Sequence, residues 1–208
     1  MEATQMELSA MRSIVNGGMA VAAKQLSGLL LDTISLDVAH VTISPLEQVL
    51  PLLRLGNVQV ACIWQQVRGE IKGSAMLLLH PDDCLALTGA LLGNVPSLSE
   101  AANGVVQHEA LTEIANIIVS SCISEMSAQL GLPITLSVPE FFEQKLTTLF
   151  DDALADLDGG KLHNQAQVMV MSVALTAARR PINSTLVMML GLEAMQSLMK
   201  RLDTGGSV

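Results

Sequence analysis

The chain contains no tyrosine, a single tryptophan and only three phenylalanines among its 208 residues. Without an aromatic surface there is no platform on which nucleobases or sugar rings stack, so recognition of that kind is excluded as a main activity. Cations are scarce as well. Eleven Lys and Arg stand against twenty Asp and Glu, giving a net charge of −9 and a pI near 4.8, whereas binding to a phosphate backbone needs clustered basic residues. The balance points away from nucleic acid and towards a protein partner.

The three cysteines, Cys62, Cys84 and Cys122, are an odd number without C-x-x-C spacing, each in an apolar context, which favours buried free thiols over disulfides or metal ligands. Four histidines, His40, His80, His108 and His163, show no metal-ligand spacing. The carboxylates Asp151, Asp152, Asp156 and Asp158 lack the pattern and terminal Glu of an EF-hand and read as a solvated loop. The longest apolar stretches, such as Val168 to Ala178, are broken by Ser172 and Thr176 and fall short of the roughly 20 residues a membrane span needs. At the N-terminus no basic region precedes an apolar run and a small-residue cleavage site, so no secretory leader is expected and a cytoplasmic location follows.

What is present is apolar. Hydrophobic residues make up 50% and charged ones 15%, which excludes a disordered chain, because there is ample apolar surface to offset the entropy of ordering. The twelve methionines suit a pliable core, and Trp64 falls in an expected strand where packing is its natural role.

Within this composition the sequence says the same thing twice. A long pattern of helical period covers about residues 5 to 31 and again 104 to 131, each ending near a glycine, Gly28 or Gly131. Ser74-Ala75-Met76-Leu77-Leu78-Leu79 is matched by Ser184-Thr185-Leu186-Val187-Met188-Met189, and a short helix follows each, beginning near Asp82 or Leu192. Before each of these strands lies another, Gln59 to Val67 and Gln165 to Ala177, joined to its successor by polar residues that signal a hairpin turn. The polar stretch Asp151 to Asn164, with Gly159-Gly160 inside it, is the place for the ten extra residues of the second half.

Each half is therefore expected to run helix, short strand, hairpin, helix. The expected fold is α+β: one layered domain over residues 1–208, internally duplicated as about 1–97 and 98–208, with pseudo-twofold symmetry. Two long helices pack on one face of a mainly antiparallel β-sheet.

At 100° per residue, Glu109, Glu113, Asn116, Ser120, Ser124 and Ser127 fall within an arc of roughly 80°. Leu111, Ala115, Ile118, Cys122 and Met126 occupy the other side, so this helix buries one stripe and presents a polar ridge. Glu113 and Asn116, three residues apart, share one turn of that ridge. Taken alone, such a pair is far more often an ordinary solvated helix face and proves nothing.

The longer pattern Glu109-x3-Glu113-x2-Asn116-x22-Pro139 resembles the signature of the CheC, CheX and FliY chemotaxis phosphatases, an Asp or Ser followed by Glu, Asn and a distant Pro. Glu109 departs from it by replacing the Asp or Ser. The duplication and a length near 200 resemble CheC rather than the shorter CheX, and no added adaptor domain of the FliY kind is expected. The first helix offers Ser9, Ser13 and Asn16, with Ala39 in place of the Pro; lacking both Glu and Pro, it reads as a weak or dead copy of the site.

The resemblance implies hydrolysis of the aspartyl phosphate of a CheY-type response regulator. The Asn carboxamide, here Asn116, orients the attacking water, and the Glu, here Glu113, pairs with the regulator's active-site Lys. Glu109, Ser120 and Pro139 would complete the partner-binding face. The resemblance implies no cofactor of the chain's own, since the regulator brings the divalent metal, Mg. It also implies CheD as a possible further partner. The rival reading is an adaptor that binds the phosphorylated regulator, a flagellar-switch protein or CheD without catalysis, and a homodimeric scaffold using the ridge is another.

Overall fold

The computed structural model describes residues 3–30, 33–53, 59–92, 100–157, 166–177 and 180–205. In chain order these form α1 (Gln5–Leu30), β1 (Ser35–Pro45), α2 (Leu46–Leu52), β2 (Gln59–Gly69), β3 (Gly73–Leu79) and α3 (Pro81–Leu92). There follow α4 (Glu100–Leu130), β4 (Ile134–Leu136), β5 (Glu140–Lys145), α5 (Leu146–Asp156), β6 (Ala166–Ala177), β7 (Arg180–Gly191) and α6 (Leu192–Gly205).

Helix ends follow local chemistry. Thr4 and Glu7 form a capping box at the start of α1: the Glu7 amide donates to Thr4 Oγ1 at 3.2 Å, and the Thr4 amide donates to Glu7 Oε2 at 2.6 Å. At the other end of α4, Gly131 adopts φ +60° and the Leu132 amide donates to the Ser127 carbonyl at 3.1 Å, closing the helix with a left-handed turn that glycine tolerates. Gly28 is near the end of α1, as expected, but does not close it with a left-handed turn. It lies inside α1, which runs on to Leu30, because glycine permits a helix end without imposing one.

The seven strands form one sheet in the order β1-β6-β7-β3-β2-β4, with β5 also on β2 and every pairing antiparallel. Outward from the central β3–β7 pair, β2 and then β4 and β5 lie on one side, β6 and then β1 on the other. The edge strands are thus exchanged. β1, from the first half of the chain, pairs with β6 from the second, while β4 and β5 pair with β2 from the first.

Side chains alternate across the pleat, and both faces are covered. Ala61, Ile63, Ala75, Leu77, Met169 and Leu186 belong to a core shared with α1, α4 and α6. Val60, Cys62, Trp64, Met76, Leu78 and Val168 belong to a second core under α2 and α5. The two long helices cover one face, as expected. Two helices that the sequence reading left out close the other: Val49 of α2, and Leu146, Leu149, Phe150, Ala153 and Leu154 of α5, bury their apolar stripes there.

The stretch expected as a loop from Asp151 is helical as far as Asp156, the end of α5, with Asp151 and Asp152 exposed, and its remainder from 158, including Gly159, Gly160 and His163, lies outside the described residues. No described helix is long and apolar enough to cross a membrane.

Candidate functional site

α1 and α4 lie side by side on the sheet. A Cβ on Gly18 of α1 would fall 2.7 Å from both the Cys122 Cα and the Ser121 carbonyl of α4, so the helices touch backbone to backbone where a side chain is missing. The stripe expected to face the sheet does so: Leu111, Ala115, Ile118, Cys122 and Met126 are all buried. The polar ridge of α4 is left outward, with Glu109, Glu113 and Ser124 exposed and Asn116, Ser120 and Ser127 half-buried.

Among the described residues Glu113 makes no hydrogen bond or ion pair. The Asn116 carboxamide, one turn on, reaches down to the sheet, where its Oδ1 accepts from Gln65 Nε2 of β2 at 3.2 Å. Gln65 Nε2 also donates to the Ser137 carbonyl at 3.0 Å, in the 137–139 gap between β4 and β5. Pro139 sits half-buried in that gap and Val138 is 80% exposed. Proline carries no amide hydrogen to continue the ladder, which accounts for the break there. Asn116 and the Pro139 segment, distant in sequence, are so joined through one glutamine.

Ser120 turns its Oγ back on its own helix, donating to the Ile117 carbonyl at 3.4 Å. His108, before Glu109, stacks on Phe141 with ring centroids 4.2 Å apart and holds Nε2 at 3.9 Å from Glu143 Oε1. Among the described residues no group of three or more His, Cys, Asp or Glu side chains is placed to hold a metal ion.

On the first helix the corresponding residues are arranged differently. Ser9 and Ser13 are exposed and Asn16 is half-buried. Asn16 is engaged at both ends by one residue: Oδ1 accepts from the Val38 amide at 2.7 Å, and Nδ2 donates to the Val38 carbonyl at 3.5 Å. The next residue, Ala39, is skipped by the β1–β6 register, and its carbonyl accepts from Arg12 Nη1 at 3.3 Å. Strand pairing is irregular at this position on both edges, by a bulge at Ala39 and by a break at Pro139.

Cys62 and Cys122 are buried and Cys84 is half-buried, all three as free thiols. Burial pushes Cys122 up to about 12 and raises Cys62 further. Cys84 also reaches about 12, through burial first and then the nearby Glu143 and Asp83 carboxylates. None is poised as a nucleophile.

Gln65 is the participant the sequence reading missed. A signal existed: it alternates with Ile63 and Val67 on the face that packs under α1 and α4, a position where an amide is out of place.

The family model described as chemotaxis phosphatase CheX matches residues 61–156, a span that holds Gln65, Glu113, Asn116 and Pro139. No curated protein matches the chain in sequence. Among solved structures, FliY from Thermotoga maritima is similar at TM-score 0.72 and 18% identity over 99% of this chain and 100% of that one. A chain of the FliG–FliM complex from H. pylori is similar at TM-score 0.62 and 12% identity, covering 95% and 100%. CheX from Desulfovibrio desulfuricans is similar at TM-score 0.51 and 11% identity, covering 86% and 99%. Residues 61–156 are thus similar to the chemotaxis phosphatase CheX family, and the whole chain has the α+β fold seen in FliY, CheX and the FliG–FliM complex. The matched segment carries Glu113 and Asn116 on α4 and Pro139 in the β4–β5 gap.

Proposed function

We propose that the protein is a phosphatase of the CheC type for the aspartyl phosphate of a CheY-type response regulator, working in the cytoplasm with one active helix, α4. The observation that carries this reading is the exposed Glu113, without a partner among the described residues, one turn from Asn116 on a ridge within the segment matched by the chemotaxis phosphatase model. Glu113 is free to meet a cation of the partner through a charge-assisted bond. Asn116 presents a carboxamide, which is too weak a base to take a proton, so its contribution is to hold water in line and lower the entropic barrier to attack.

Glu109, Ser120 and Pro139 frame the same face and would meet the docked regulator. Mg and the phosphorylated carboxylate enter with the regulator, and no residue of this chain is assigned to the metal. CheD is proposed as a second partner on the resemblance alone.

We read the chain as one domain of two repeats, the first degenerate. Asn16 has both carboxamide ends taken up by Val38, and Arg12 donates to the Ala39 carbonyl, whereas Asn116 of α4 has only its Oδ1 engaged, by Gln65. The second reading is an adaptor, favoured by the similarity to a chain from a FliG–FliM complex. Phosphate loss from acetyl-phosphate-charged regulator decides between them. Acceleration by wild type and by Asn16→Ala, abolished by Asn116→Ala and weakened by Glu113→Ala, supports the phosphatase; binding without acceleration replaces it by the adaptor.

A further inference from the structure

We propose that Gln65 is a positioning residue: it fixes the carboxamide of Asn116 and ties it to the β4–β5 segment as one rigid unit. The kinetic part of this inference rests on the phosphatase reading; the structural part does not.

Gln65 is 2% exposed, and its Nε2 lies 3.0 Å from the Ser137 carbonyl and 3.2 Å from Asn116 Oδ1. A backbone carbonyl can only accept, so the end of the Gln65 amide that faces Ser137 must be the nitrogen. The Asn116 atom facing that same nitrogen must then be the oxygen, and the orientation of both amides follows from one carbonyl rather than from a choice between look-alike atoms. One lone pair of Asn116 Oδ1 is thereby used. Its second lone pair and both Nδ2 protons remain, and among the described residues nothing accepts from Nδ2.

Gln65 occupies this place at a cost. Among the described residues its Oε1 is buried without a partner, an arrangement that disfavours folding relative to an apolar side chain. A core position that breaks the apolar rule is where a functional constraint is expected. The segment it holds is anchored again next door: the Gln66 amide donates to Ser137 Oγ at 2.9 Å, and the Ser137 amide to the Gln66 carbonyl at 3.0 Å. Ser137, which precedes Val138 and Pro139, is so held to the same glutamine as Asn116.

The first helix provides the contrast. Val38 is paired there with Val173, a buried apolar residue that offers no donor, and Asn16 turns to the backbone instead.

Two measurements test the inference. Relaxation of the side-chain 15N–H2 groups by NMR should show the Asn116 amide of the wild-type protein as ordered as its backbone, and mobile in Gln65→Met, which keeps the length and removes the donors. Gln65→Leu serves if the methionine variant does not fold. In phosphate release, Gln65→Met should lower kcat about tenfold or more while KM for the regulator changes less than about twofold, as expected when orientation rather than docking is lost. It should add nothing in an Asn116→Ala background. A mobile Asn116 amide in wild type, an equally ordered one in Gln65→Met, or a full additional kinetic loss in the double variant would overturn the proposal. If wild type releases no phosphate from any regulator, the phosphatase reading fails, and the relaxation data still decide the role of Gln65.

Discussion

Asn16 on the first long helix accepts a hydrogen bond from the amide of Val38 at 2.7 Å. Val38 is 1% exposed, so this amide has no water to turn to where the strand bulges. Asn16→Ala is expected to leave a buried donor unpaired and to lower unfolding free energy by about 1–3 kcal/mol, read as a lower urea midpoint at unchanged slope, with phosphate release from the regulator intact. Loss of activity without loss of stability would move Asn16 from a structural to a functional role.

The contact between α1 and α4 at Gly18 makes a second expectation. An added methyl 2.7 Å from backbone atoms of Cys122 and Ser121 cannot be relieved by rotating a side chain, so Gly18→Ala should force the helices apart and cost about 1–3 kcal/mol by overpacking. At Gly104, where a Cβ would meet nothing within 4 Å, alanine should be neutral or mildly stabilising through its better helix propensity. Thermal melts of the two variants side by side distinguish packing from propensity.

The capping box gives a pH dependence. Hydrogen bonds from the Thr4 side chain, and then from its backbone, hold the Glu7 carboxyl below its ordinary range. A carboxyl whose folded pKa is depressed contributes stability above its unfolded pKa, about 4.3, and loses it as pH falls through the lower folded value. Glu7→Gln should therefore be less stable than wild type at pH 7, with the gap closing towards pH 3. Thr4→Ala, which removes the cap itself, should cost about 1 kcal/mol at pH 7. Urea titrations at the two pH values check both.

Thiol reactivity follows from burial. Cys122 and Cys84 are pushed up to about 12, and Cys62 is raised as well, so little thiolate exists at pH 8. A disulfide reagent such as DTNB should label the native protein slowly, with half-buried Cys84 first, and label all three quickly in denaturant. Rapid native labelling of Cys62 or Cys122 would show that the two cores open readily.

How much of this was legible can be seen residue by residue. The two long helices, both hairpins and the buried stripe of α4 came directly from hydrophobic period, because those patterns are long and self-consistent. α2, only Leu46–Leu52, is too short for a period to stand out. α5 carries apolar residues at the right spacing, but its two adjacent exposed aspartates, Asp151 and Asp152, mimic a polar loop. The exchange of edge strands left no local trace, since strand partners are chosen across the whole chain.

By itself the sequence determined the two long helices and the two hairpins, which side of α4 is buried, and that Glu113 and Asn116 share a turn, because each of these depends only on neighbours within a few residues. The tertiary structure decided the rest. Gln65 and Asn116 are 51 positions apart and meet only because β4 and β5, which follow α4, pair with a strand of the first half. It likewise decided that Asn16, identical in type and matching in position, is held by Val38 instead. Which partner a carboxamide finds is set by the strand beneath it, and no helix carries that information.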